Sequence, residues 1–90
     1  MTSQTTKKFR QLYAELSPEI QSSALKAYRL WRENPSHPAL RFKQVLSAPP
    51  VFSVRITRAF RALGVKEGGT MIWFWIGSHD EYERILAHGV

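Results

Sequence analysis

The chain has 90 residues, 43% of them hydrophobic and 22% charged, which is ordinary composition for one globular domain with a single modest core. It has no cysteine, so disulfide scaffolds and thiolate metal centres are excluded, and its longest apolar run, Met71 to Ile76, is far short of the ~18 residues of a membrane span. Thirteen Lys and Arg against seven Asp and Glu leave a net charge of +6.

The segment MTSQTTKKF carries no apolar stretch of signal-peptide length, so the chain reads as cytoplasmic, with residues 1–5 disordered ahead of a single domain over 1–90. Phe9, Leu12, Tyr13 and Leu16 recur at helical spacing and predict a helix near 6–16. Ser17-Pro18-Glu19 restarts the chain: an N-cap, a proline suited to the first helical position, and an acid at the positive end of the dipole. Ile20, Ala24, Ala27, Tyr28 and Trp31 form the buried stripe of a second helix over 18–33, which Asn34-Pro35 and His37-Pro38 end. A linker this short makes the pair a helical hairpin.

From Leu40 the hydrophobic period changes to two. A short strand is expected at 41–45, and Val51–Ile56 alternates with Phe52, Val54 and Ile56 on one side and Ser53 and Arg55 on the other. A reversal at Thr57-Arg58 leads into a strand over 59–65, and Lys66-Glu67-Gly68-Gly69 makes the next turn. Thr70–Ile76 is apolar enough to lie centrally, covered on both faces, and residues 80–88 suit a short terminal helix. The expected fold class is α+β: an N-terminal helical hairpin on one face of a twisted antiparallel sheet of three or four strands.

The charge is uneven. Residues 7–61 carry a net +8 and residues 62–90 a net −2, which favours a polyanionic partner, either nucleic acid or an acidic protein segment. Arg55, Arg58 and Arg61 fall on two neighbouring strands and the turn between them, with Lys43 on an adjoining strand. Arginine offers planar, bidentate donors matched to phosphate and keeps its charge at any relevant pH, so the group reads as a phosphate-binding face. His79 follows the most apolar strand, with Tyr82 three residues on, and an imidazole beside a cationic patch suits proton transfer near neutrality. Asp80 could orient it. His37 and His88 have less claim to chemistry, and the three tryptophans suit core packing. No pair of histidines or carboxylates has metal-ligand spacing, so no metal is expected.

Three stretches together resemble the RelE/ParE toxin superfamily of type II toxin–antitoxin systems, in a HigB-like, translation-repressing branch. These are Val51-Phe52-Ser53-Val54-Arg55-Ile56, Phe60-Arg61-Ala62-Leu63-Gly64, and Ile72-Trp73-Phe74-Trp75-Ile76-Gly77-Ser78-His79. The similarity runs from about Phe9 to Leu86, with Asn34-Pro35-Ser36-His37-Pro38, Leu40 and Phe42-Lys43 also in keeping. The resemblance implies a helical hairpin on a twisted sheet with a concave basic face. It implies mRNA cleavage on the ribosome with no cofactor or metal, and a cognate antitoxin as partner. On this reading Arg55 and Arg61 hold the phosphate, while Arg41, Lys43 and Arg58 grip the flanking RNA backbone. His79 serves as acid or base, and Tyr82 stacks on a base or shares the proton work. The chain departs from the pattern in placing Asp80 and Glu81 after His79, where many nucleolytic relatives carry a basic residue. Two alternatives arise within the same superfamily: a ParE-like toxin that blocks DNA gyrase without cutting RNA, and a degenerate toxin that only binds its antitoxin.

Overall fold

Thr6 and Ser17 begin the two N-terminal helices. In the computed structural model, which describes residues 2–88, Thr6 Oγ1 accepts the Phe9 N–H at 3.1 Å ahead of α1 (Lys7–Ala14). Ser17 Oγ accepts the Ile20 N–H at 3.3 Å ahead of α2 (Pro18–Glu33). Each cap satisfies a donor that the helix itself leaves unpaired, a contribution of about 1 kcal/mol. Pro18 and Glu19 occupy the first turn of α2 as expected. Ala24, Ala27 and Trp31 are buried, and Phe9, Leu12, Tyr13 and Leu16 pack against them from α1 and its end. Among the described residues no helix is long and apolar enough to cross a membrane.

The sheet has five strands: β1 (Thr2–Thr5), β2 (Lys43–Ser47), β3 (Pro50–Thr57), β4 (Phe60–Glu67) and β5 (Thr70–Ser78), in the order β1-β5-β4-β3-β2. Strands β2 to β5 form the antiparallel meander that the change of period predicts. Strand β1 corrects two expectations. Residues 2–5 are not disordered but pair in parallel with β5, Thr2 opposite Thr70 and Thr5 opposite Trp73, which makes the sheet mixed. The pairing covers donors and acceptors that an edge strand would leave open. Strand β5 therefore lies between β1 and β4, one place from the edge, and β4 is central.

Both faces of the sheet are covered. Val54, Ala62, Met71, Trp73 and Ile76 pack under the helical hairpin, where Trp31 meets Trp73 edge-on at 5.2 Å. On the opposite face Val51 and Leu63 pack with Tyr82, Ile85 and Leu86 of α3 (His79–His88). The helices thus lie on both faces rather than one. A bulge in β5 sorts its two tryptophans between these faces. Leu63 pairs with Trp75 and Gly64 with Trp73, so Phe74 has no partner, and Trp73 and Trp75 point to opposite faces.

Candidate functional site

Antiparallel pairing brings the site together. Arg55 on β3 lies directly opposite Arg61 on β4, so both point to the α3 side of the sheet. Opposed like charges repel, and something must hold them. Arg61 Nη1 donates to three carbonyls of the β3–β4 turn, those of Thr57 (2.7 Å), Phe60 (3.0 Å) and Arg58 (3.2 Å). The turn is itself tied by the Ala59 N–H donating to Thr57 Oγ1 at 3.2 Å. Partial burial, then the neighbouring Arg55, push the Arg61 pKa below its ordinary value; Tyr82 and Glu83 act the other way and Arg41 adds to the lowering. The group remains a cation at any accessible pH.

Arg41 joins the cluster from the segment before β2. It follows a 3-10 turn, Pro38–Leu40, that His37 caps by accepting the Ala39 N–H on Nδ1 at 3.1 Å. Leu40 is buried in the core, and Arg41 turns the chain at φ 45°, the left-handed region that a non-glycine residue seldom occupies. His37 is thereby a capping residue.

His79 opens α3. Its N–H donates to Ala59 O at 2.7 Å, which ties the helix start to the turn that holds Arg58. Ser78 and Glu81 form a capping box: the Glu81 N–H donates to Ser78 Oγ at 3.2 Å, and Ser78 Oγ donates to Glu81 Oε1 at 3.0 Å. Asp80 and Glu81 therefore stabilise the positive end of α3. The imidazole Nε2 lies 3.2 Å from Glu83 Oε1 one turn on.

Arg41, Arg55, Arg58, Arg61 and His79 line one open cleft of about 600 Å³. Four guanidinium groups around one imidazole make an anion site, and the imidazole adds a proton donor or acceptor. Two expected members stand elsewhere. Lys43 is exposed on β2, opposite Ser53 and on the same face, but does not line the cleft. Tyr82 is 5% exposed, and its hydroxyl donates to buried Ser53 Oγ at 3.2 Å. Its ring centroid is 5.7 Å from that of His79, so it packs beneath the imidazole and is not free to stack on a base. Glu83 was not singled out by the sequence; its spacing of i, i+4 from His79 was the available signal. Among the described residues no three His, Asp or Glu side chains are grouped to hold a metal ion.

A family profile described as ParE-like toxin domain matches residues 18–84, from the start of α2 into α3. No curated protein sequence matches significantly. Among solved structures, the fold is similar to a chain of the RelB-RelE antitoxin-toxin complex from Methanococcus jannaschii, with TM-score 0.70, 12% identity, and coverage of 89% of this chain and 94% of that one. It is also similar to the YoeB/ParE toxin from Agrobacterium tumefaciens (TM-score 0.69, 14% identity, 88% and 99% coverage). A third neighbour is YafQ from E. coli (TM-score 0.69, 8% identity, 89% and 94% coverage). At such identities the likeness is one of fold.

Proposed function

The chain belongs to the ParE-like toxin family, the toxin side of type II toxin–antitoxin systems, and from that premise we propose that it is a ribosome-dependent mRNA endonuclease that represses translation. The observation that carries this reading is the convergence of Arg41, Arg55, Arg58, Arg61 and His79 on one cleft. Cleavage of RNA by its own 2′-hydroxyl needs a proton acceptor at that hydroxyl, a proton for the departing 5′-oxygen, and cations against the charged pentacoordinate phosphate. Arg55 and Arg61 take the phosphate, Arg41 and Arg58 the flanking backbone, and His79 moves a proton. Lys43 extends the same face toward more distant phosphates. The need for a 2′-hydroxyl makes DNA a non-substrate. In this reading the protein works in the cytoplasm, and an acidic antitoxin segment covers Arg55 and Arg61 when the toxin is silent. The RelB-RelE complex, a fold neighbour, pairs a toxin with its antitoxin and supports that partner.

One observation favours the gyrase-directed alternative. With Tyr82 withdrawn into the core, the cleft offers a single imidazole for proton work. The two readings part in one experiment: the purified toxin is added to ribosomes programmed with a defined A-site codon and, separately, to a gyrase supercoiling reaction. The nuclease reading expects a cut within the A-site codon leaving a 2′,3′-cyclic phosphate and a 5′-hydroxyl, with supercoiling unaffected. Intact mRNA together with blocked supercoiling would overturn it.

A further inference from the structure

The backbone of His79 is fixed at the junction of α3 and the β3–β4 turn by its N–H bond to Ala59 O, and the Ser78–Glu81 capping box sets the first turn of the helix around it. One turn further on, Glu83 brings Oε1 to 3.2 Å from Nε2 of the same ring. A carboxylate beside one ring nitrogen favours the tautomer that carries its proton there and leaves the other nitrogen as an open lone pair. We infer, on the footing of the nuclease reading, that Glu83 is a positioning residue that fixes His79 as the Nε2–H tautomer and so makes Nδ1 the general base for the RNA 2′-hydroxyl.

The step then balances. Nδ1 takes the proton of the 2′-hydroxyl as the 2′-oxygen forms its bond to phosphorus. The P–O5′ bond breaks, its electron pair goes to the 5′-oxygen, and that oxygen takes a proton from a water molecule. The imidazolium left behind returns its proton to the resulting hydroxide. Throughout, Glu83 stays beside Nε2 and stabilises the positive charge that the ring acquires, as a carboxylate does toward histidine in acyl-transfer triads, though here from a solvent-exposed position. The charged and titratable groups around the ring are Arg41 from the segment before β2, Arg55 from β3, Arg58 from the turn and Arg61 from β4, which share its cleft, and Tyr82 and Glu83 from α3 itself. The arginines meet the phosphate, which leaves Glu83 to the imidazole.

The test pairs a spectroscopic readout with a kinetic one. Two-bond ¹H–¹⁵N correlation spectra of the full chain labelled at histidine report which ring nitrogen of His79 carries the proton, in the wild type and in Glu83→Gln and Glu83→Ala. The wild type should show the Nε2–H form at a pH where the ring is neutral. Glu83→Gln should weaken the preference, since its amide can accept from Nε2–H but also donate to a bare Nε2, and Glu83→Ala should relax further toward a mixture of both tautomers. In single-turnover cleavage of a programmed A-site codon, Glu83→Ala should lose about ten- to a hundredfold in rate, less than the ~10²–10⁴ that a proton-transfer group itself contributes. Glu83→Gln should lose less than Glu83→Ala, while ribosome affinity should be unchanged in both. Because Glu83 is exposed, both variants should keep the wild-type fold by circular dichroism. An Nδ1–H form in the wild type, or spectra that do not change in Glu83→Ala, would overturn the positioning role whatever the cleavage rates. An Nε2–H wild type that leaves RNA intact would overturn the catalytic part of the inference, and with it the nuclease reading, while leaving the pairing in place.

Discussion

Two guanidinium groups placed directly across a strand pair repel each other, and Arg55 and Arg61 are held in that arrangement by the turn carbonyls around Arg61. Titration cannot relieve the repulsion, since arginine stays charged, but a bound anion can. Neutralising one partner should therefore stabilise the free protein while weakening its hold on phosphate. Arg55→Gln is the cleaner choice, because Arg61 carries the backbone bonds. We expect a gain of about 0.2–1 kcal/mol, the scale of one cross-strand pair, seen as a melting temperature higher by up to ~5 °C at low salt. Added sulfate should stabilise the wild type more than the variant; a variant less stable than the wild type would contradict the repulsion. That Arg55 and Arg61 sit on neighbouring strands either side of a tight turn was legible in the sequence, whose alternation permits them a shared face; the register that sets them directly opposite was not. The three carbonyl bonds to Arg61 were not, since they depend on the conformation of the turn. Nor was the left-handed backbone at Arg41, which follows from burying Leu40 at the end of a short 3-10 turn.

At the scale of the elements, α3 is fastened to the sheet through Tyr82, and its buried hydroxyl pairs with Ser53 Oγ. Tyr82→Phe should cost about 1–3 kcal/mol, because Ser53 is left buried without its partner, and Ser53→Ala should cost a similar amount for the mirror reason. The double variant should be closer to wild type than the sum of the two, and urea denaturation of all four proteins measures that coupling. Strict additivity would show that the hydroxyls do not depend on each other. Gly77, opposite Arg61, is overlain by the Trp75 indole: a Cβ there would lie 2.5 Å from Cζ2. Gly77→Ala should thus destabilise by about 1–3 kcal/mol by overpacking, and thermal melting would show it. The sequence made the helix starts plain, because Ser17-Pro18-Glu19 and the 3.6 period agree. It did not disclose β1, four mostly polar residues with no periodic signal, or the bulge at Phe74. That one unpaired residue puts Trp73 and Trp75 into different apolar clusters on opposite sides of the sheet.

For the whole molecule, the uneven charge has a structural counterpart. The basic residues of β3 and β4 meet in the cleft, while Asp80 and Glu81 are absorbed by the start of α3 and Glu83 by His79. Association with ribosomes should accordingly weaken with salt, since each phosphate contact releases counterions from the RNA. Arg58, exposed at the turn, should act on backbone alone. Arg58→Ala should lower the slope of log affinity against log salt by about 0.7–1, uniformly across codons. An unchanged slope would remove Arg58 from the interface. In the proposed reaction the arginine–histidine cleft cuts RNA, and single-turnover cleavage of a programmed A-site codon by Arg61→Ala/His79→Ala measures what the cleft contributes, with circular dichroism as the folding control. Loss of an arginine that meets the developing charge costs ~10²–10³ in rate, and loss of the proton-transfer group a comparable ~10²–10⁴. The double variant should therefore be folded and slower than the wild type by at least a hundredfold. A folded double variant that cuts as fast as the wild type would show that the cleft does not carry the cleavage.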